Sequence, residues 1–276
     1  TKLIKDDGEI LELPIYCSAH SNEPRKNSYK ALSFLWHQGF AHGNLTMPRP
    51  LFFSDYFNGY FYRGVQGNNL YYYIRNKNFE EIKNIIPKAA AWFAKLHQLP
   101  TEEAKNFNEQ NSRVKTVIPG YDFIYNKLKH SYSDYYPTYK EAFELINKKE
   151  TEFLNGLKKN WLIHGDAHPE NVIKMSAETI AVIDFTDVCL ADFARDLGAF
   201  MQQFEYMSIR KIEDQSYVKR MQDLFINNYL ELTKIKMDNS LRERINIYYC
   251  WTALRTATMF FLKEQAVEYD QAKAKV

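Results

Sequence analysis

An α+β fold, with a small β-sheet lobe in front and a mainly helical lobe behind, is predicted from three observations. The first 65 residues hold two alternating apolar stretches, each folded about a two-residue turn signal. From Phe79 onward the apolar residues recur at i, i+3 and i+4 instead. The chain has 276 residues, 45% apolar and 25% charged, and a chain that long buries roughly three quarters of its unfolded surface. With 20 Tyr, 19 Phe and 4 Trp, it is far too aromatic for a disordered coil.

In chain order, residues 2–16 read as a hairpin around Asp7-Gly8, a strong turn signal. A helix over residues 24–38 follows, with Leu32, Leu35 and Trp36 on one stripe and Gly39 as its stop. Pro48-Arg49-Pro50 breaks the chain, and residues 51–56 and 60–65 pair around Asn58-Gly59. Residues 79–99 are helical, with Ile82, Ile85, Ile86, Ala89, Phe93 and Leu96 on one face and Pro100 at the end. Another helix is predicted over 135–157. Residues 172–184 are the only strand-like stretch of the second half, and everything after Asp192 has helical periodicity. The lobes therefore divide into residues 1–65 and 66–276.

Composition excludes several function classes. Thirty-six basic and 34 acidic residues are interspersed, and the densest basic cluster, Lys127-Leu128-Lys129-His130, is short. No nucleic-acid or membrane-surface partner is expected. No apolar run approaches the ~18 residues of a membrane span. Residues 1–7 hold no stretch long enough for a signal peptide, so the expected location is cytoplasmic. Cys17, Cys189 and Cys250 are too few and too scattered for a disulfide framework or a zinc site, and are expected as buried free thiols.

The chemistry concentrates in His164-Gly165-Asp166-Ala167-His168-Pro169-Glu170-Asn171, between the apolar run Trp161-Leu162-Ile163 and a hairpin that ends in Ile183-Asp184-Phe185. If that hairpin is symmetric about a turn between Ala177 and Glu178, Asn171 faces Asp184, with Cβ atoms about 4.5–5.5 Å apart. An amide oxygen and a carboxylate so placed make two hard ligands for one Mg2+, whose other positions go to water and phosphate. Asp166 then lies near the metal without ligating it. Phosphoryl transfer needs a base there, to take the proton of the attacking hydroxyl. Singly, Asp166, Pro169 and Asn171 are ordinary turn and cap residues. Together, His-Gly-Asp-x4-Asn arises by chance in about one chain in a thousand.

This pattern, with Ile183-Asp184-Phe185, resembles the signature of the aminoglycoside phosphotransferase and choline kinase-like family. The resemblance implies small-molecule kinases with a protein-kinase-like, two-lobed fold. It implies Asp166 as catalytic base, Asn171 and Asp184 as magnesium ligands, and His164 and Asp196 as braces of the catalytic loop. His168 matches a frequent second histidine of that loop. Ala94-Lys95-Leu96-His97 resembles the family helix ending in Leu-His. Met47-Pro48-Arg49-Pro50-Leu51 resembles the segment after the small-lobe helix. Residues 61–70 resemble the hinge, so Tyr62, Arg63, Gly64 and Val65 are expected to hold adenine through their backbone. The likeness runs over about residues 1–200, with ATP and Mg2+ as the implied cofactors.

Two features depart from the family pattern. Aligning Asp7-Gly8 with the turn between the second and third strands places the Gly-rich phosphate loop ahead of Thr1, so the first strand and that loop are missing from the expected small lobe. The third strand, residues 10–16, should carry a phosphate-binding lysine, and its position falls on Pro14. The partner glutamate of the following helix falls near Ser28, with Glu23 more than a turn too early. Lys2 or Lys5 is the expected substitute cation.

The expected function is transfer of the γ-phosphoryl group of ATP to a hydroxyl of a small molecule: an aminoglycoside, a choline-like amine alcohol or a sugar. The alternative is a pseudokinase-like binding module with weak or no turnover. A protein kinase would carry arginine where Gly165 stands and a longer segment between Asp184 and Asp196. Glu205, Tyr206 and Asp187 are expected on the acceptor walls, where acids suit a cationic acceptor. Tyr121, Tyr125, Tyr132, Tyr135, Tyr136 and Tyr139 either line that pocket or pack helices.

Overall fold

The computed structural model describes residues 2–4, 6–8, 10–12, 14–20 and 25–262. Lys5 and Glu23 lie outside them, as does the side chain of Lys2. Strands β1 (Lys2–Ile4) and β2 (Ile10–Glu12) pair antiparallel about Asp7-Gly8. Pro14 then separates β2 from β3 (Ile15–Ala19). Proline has no N–H to give a ladder, so the single strand expected over residues 10–16 is two strands in two sheets.

Helix α1 (Lys26–Leu35) buries Ala31, Leu32 and Leu35 and runs into a wide turn that Gly39 closes at φ +91°. After β4 (Leu45–Thr46), strands β5 (Arg49–Ser54) and β6 (Gly59–Arg63) form the second expected hairpin, with Asn58 left-handed in its turn. The order β3-β6-β5 makes an antiparallel sheet, and Tyr16 stands opposite Tyr62, Ser18 opposite Tyr60.

The rest is mainly helical. Strand β7 (Asn68–Asn69) and α2 (Leu70–Arg75) lead to α3 (Phe79–His97), which starts where the Asn78 side chain accepts the Glu81 N–H. Its predicted stripe is buried, and each large residue contributes about 1.5–3 kcal/mol. Helices α4 (Tyr121–Ser131) and α5 (Tyr136–Gly156) follow. Strands β8 (Trp161–Ile163), β9 (Val172–Lys174), β10 (Ile180–Val182) and β11 (Cys189–Ala191) precede α6 (Ala194–Ile209), α7 (Gln215–Thr233) and α8 (Asn239–Leu262). The β8–β11 pair and α4 are additions to the sequence expectation.

Strand β4 pairs parallel with β10, so the front of the chain is stitched to the β9–β10 hairpin in a sheet of order β4-β10-β9-β7. The Trp92 indole N–H donates to the Thr46 carbonyl at 2.9 Å and clamps that seam to α3. Phe93 packs against His164 and Phe200, and Phe200 stacks on Phe225 at 4.3 Å. These rings give the loop after β8 a close-packed floor.

All three cysteines are free, but only Cys189 is buried; Cys17 and Cys250 are exposed. Strand alternation explains Cys17, which lies on the face of β3 opposite Tyr16 and Ser18. Among the described residues no helix is long and apolar enough to cross a membrane.

Candidate active site

Strand β8 delivers His164 into the interior, and the loop that follows is held from three sides. Asp196, near the start of α6, accepts the N–H of His164 at 2.7 Å and that of Gly165 at 2.9 Å. The His97 ring, at the end of α3, bonds the same carboxylate at 3.0 Å. Burial alone raises the pKa of Asp196, but the His97 bond and charge, helped by His164, outweigh it and hold the carboxyl below its ordinary value. His164 Nε2 donates to the Ile183 carbonyl at 3.0 Å, which leaves Nδ1 to accept the Asp166 N–H. Both expected braces thus meet the loop directly.

Gly165 is required by space as well as conformation. At φ +82° a Cβ would lie 2.2 Å from the Asp187 carbonyl oxygen, so no arginine fits here.

Asp166 sits at the loop tip with its side chain 46% exposed. Asn171 donates its amide to the Asp166 carbonyl at 2.9 Å, and His168 approaches Asp166 Oδ2 at 3.3 Å. Burial raises the Asp166 pKa, but the His168 hydrogen bond and charge overcome it and bring the carboxyl to about 2. His168 is shifted upward by the same pair, against the effect of burial. Its Nδ1 accepts the Glu170 N–H and starts the short 3-10 turn Pro169–Asn171.

The catalytic hairpin differs from the expected register by one residue. Ile180 stands opposite Lys174 and Val182 opposite Val172, and the Ile183 N–H donates to the Asn171 carbonyl. Asn171 therefore faces Ile183, not Asp184. The cause is a three-residue loop, Ser176-Ala177-Glu178, where Ser176 Oγ accepts two backbone N–H groups. Asp184 then adopts φ +65°, outside ordinary strand geometry. Both residues nonetheless line one cavity. The Asn171 amide nitrogen is held by Asp166, which leaves Oδ1 as its donor atom toward a metal. With the carboxylate of Asp184, that is the oxygen pair Mg2+ takes from protein. Among the described residues no cluster of three or more His, Cys, Asp or Glu forms a metal cage.

Three cavities border one another through shared lining residues. The first, about 390 Å3, is lined by Tyr16, Tyr62, Gly64, Val65, Asn171 and Asp184. Arg63 is exposed on β6 and outside that lining, so of the four expected hinge residues its side chain alone is turned away. The Gly64 N–H donates to the Pro14 carbonyl at 3.0 Å, and the Tyr16 ring fills the space where a Gly64 Cβ would stand. The second cavity, about 580 Å3, shares Arg25, Asp184 and Thr186 with the first. The third, about 450 Å3, shares Asp187 with the second and is walled by Asp166, His168 and residues of α6 and α8.

The sequence model of the phosphotransferase enzyme family (APH) matches residues 13–232. The chain belongs to that family. Solved structures agree on the fold. A Plasmodium vivax ethanolamine kinase is 15% identical with a TM-score of 0.59, over 95% of this chain and 74% of its own. A choline/ethanolamine kinase family protein from Mesorhizobium loti is 13% identical, TM-score 0.62, over 97% and 83%. A Streptomyces rimosus aminoglycoside phosphotransferase in complex with ADP and streptomycin is 15% identical, TM-score 0.58, over 90% and 88%. No curated protein matches. The fold of this phosphotransferase is therefore protein-kinase-like, and the expectation of a small-molecule kinase stands.

Of the residues expected on the acceptor walls, not all reach the third cavity. Glu205 bonds Gln222 at 2.9 Å and Tyr249 and does not line the third cavity. Tyr206 and Asp187 do line it. Tyr121 stacks on Tyr125, Tyr139 and Phe143, and Tyr132 and Tyr135 pack on Phe261, so these tyrosines serve helix packing. Tyr136 meets Tyr125 edge-on and belongs to the same group. Arg195, Arg210 and Arg255 line the cavity instead. Arg195 is held by the Asn111 amide and carbonyl oxygens, and Asn111 in turn donates to the Asp187 carbonyl at 2.7 Å. Nothing in the sequence singles out Asn111, because its partners lie 76 and 84 positions away.

Proposed function

We propose that this phosphotransferase moves the γ-phosphoryl group of ATP to a hydroxyl of a small molecule, with Asp166 as the base. The observation that carries this is the series of three cavities linked by shared lining residues. Hinge residues lie at one end, Asn171 and Asp184 in the middle, and Asp166 beyond Asp187 at the other. A nucleotide placed at Tyr62, Gly64 and Val65 points its phosphates toward Asn171 and Asp184, and an acceptor in the third cavity meets Asp166. In this reading residues 1–65 are the nucleotide-binding lobe and 66–276 carry the catalytic loop and substrate site. Asn171 and Asp184 would hold Mg2+, which supplies neutralisation of phosphate charge. An amicoumacin kinase of the same fold, 13% identical with a TM-score of 0.61 over 99% of this chain and 82% of its own, was solved with AMP-PNP and Ca2+, which supports that pairing.

Asp166 is suited to its role by its bonds: the Asn171 amide, which also reaches Oδ2 at 3.4 Å, and His168 aim the carboxylate, and the low pKa keeps it ionised. The acceptor cavity sets the carboxylates of Asp166, Glu170 and Asp187 against the guanidinium groups of Arg195, Arg210 and Arg255. Charge of both signs suits a zwitterionic or neutral polyhydroxy acceptor better than a polycation. The arginine over the Trp251 ring, Arg255 at 4.7 Å, also takes up an aromatic face that an amine would use.

A second reading, a nucleotide-binding module with little turnover, is favoured by one observation. The described residues of β3 and α1 hold neither the lysine nor the glutamate of the family pattern. Transfer of labelled γ-phosphate to a panel of hydroxy amino acids, polyols, amine alcohols and aminoglycosides separates the two. Labelled product from an acceptor of the first two classes is the expected result. Mg-ATP binding without any labelled product would favour the binding module.

A further inference from the structure

Loss of the strand lysine leaves a question of charge. The sheet shows where it would stand: β3 pairs with β6, and its cleft-facing residues are Tyr16 and Ser18, both in the hinge cavity. Neither is a cation. We propose that Arg25, at the entrance to α1, grips the nucleotide phosphates in place of that lysine; this rests on the hinge cavity being the nucleotide site.

Four observations converge on Arg25. It is the one cationic side chain among the described residues that line the hinge cavity. Its Nη1 donates to Thr186 Oγ1 at 2.9 Å, which fixes the guanidinium two residues from Asp184. It also lines the adjoining cavity with Asp184 and Asp187, so it stands where the phosphates pass toward the acceptor. Finally, Arg25 and Asp184 both act on the buried Tyr60 hydroxyl, in opposite senses, while Ser18 bonds it. Cation, carboxylate and the vacated strand position thus line the same cavity.

The chemistry fits. A guanidinium stays charged at all working pH and presents a planar fork that matches phosphate oxygens two at a time. A helix-borne arginine also needs no glutamate to aim it, because the Thr186 hydroxyl performs that task.

The test is calorimetric and uses adenosine and Mg-ATP side by side, on wild type, Arg25→Gln, Arg25→Lys and the double variant Arg25→Gln/Ser18→Lys. Adenosine reports the hinge alone. Arg25→Gln is expected to weaken Mg-ATP about tenfold to a hundredfold, the loss of a charged hydrogen-bonding group, with adenosine affinity unchanged. Arg25→Lys should lose less. Ser18→Lys, which returns a cation to the strand, should recover part of the Mg-ATP affinity. Unchanged Mg-ATP affinity in Arg25→Gln would overturn the assignment, and so would a parallel loss of adenosine. Wild-type protein that binds no adenosine would instead bring down the nucleotide reading of the cavity itself.

Discussion

Gly165 and Asp184 both sit at left-handed backbone angles, φ +82° and +65°, on either side of the cleft. Gly165→Ala adds strain and a Cβ against the Asp187 carbonyl, so it should cost about 1–3 kcal/mol and displace Asp166. Thermal unfolding and turnover check it together, and a variant equal to wild type in both would contradict the packing described. Asp184→Asn keeps one oxygen but drops the charge. It should raise the Mg2+ concentration for half-maximal ATP binding, with adenosine binding unaffected, as read by titration of each nucleotide. At this scale the loop was legible because Asp166 and Asn171 come from one continuous segment. Asn111, Arg195 and Arg255 were not, because only folding brings them to it. The Asn171–Asp184 register was misjudged by one position, since a three-residue loop cannot be told from a two-residue turn by alternation alone.

Among elements, α6 decides how the catalytic loop stands. Asp196 on its first turn, itself fully buried, binds two loop N–H groups and the buried His97. Asp196→Asn should destabilise the fold by about 3 kcal/mol, because a buried charged network loses its centre. The pH dependence has a definite sign. The folded pKa of Asp196 lies below its unfolded value, near 3.9 in general. Its stabilisation is thus present above that value and is lost as pH falls toward the folded pKa. Urea unfolding across this range should show the gap between wild type and Asp196→Asn narrowing as the medium is acidified; a gap that widens would contradict the bond pattern. Long helices were legible, with α3 and α5 within two residues of their predicted ends. Strands β8 and β11, three residues each, carry too little alternation to read. Pro14 was read inside a strand because the residues around it alternate, whereas its missing N–H ends β2 and lets β3 join another sheet.

For the whole molecule, the packing makes a thiol prediction. Cys189 is buried and its pKa is pushed up to about 12 by burial, while Cys17 and Cys250 are exposed. A thiol reagent at neutral pH should therefore modify Cys17 and Cys250 in the native protein and reach Cys189 only after denaturation. Rapid native modification of Cys189 would mean that the β8–β11 pair opens. The two-lobed plan was legible from turn signals in front and helical periodicity behind. The cleft was not, because its walls come from the first helix, the catalytic hairpin and the last helix. In the proposed reading Asp166 acts in the transition state, beyond the nucleotide site. The most direct test of that reading compares Mg-ATP affinity and the rate of ADP formation in wild type and Asp166→Asn. The rate should fall by about 10²–10⁴-fold with Mg-ATP affinity within about twofold of wild type, since only the transition state loses an interaction. A variant that turns over at the wild-type rate, or one that loses Mg-ATP binding along with turnover, would contradict it.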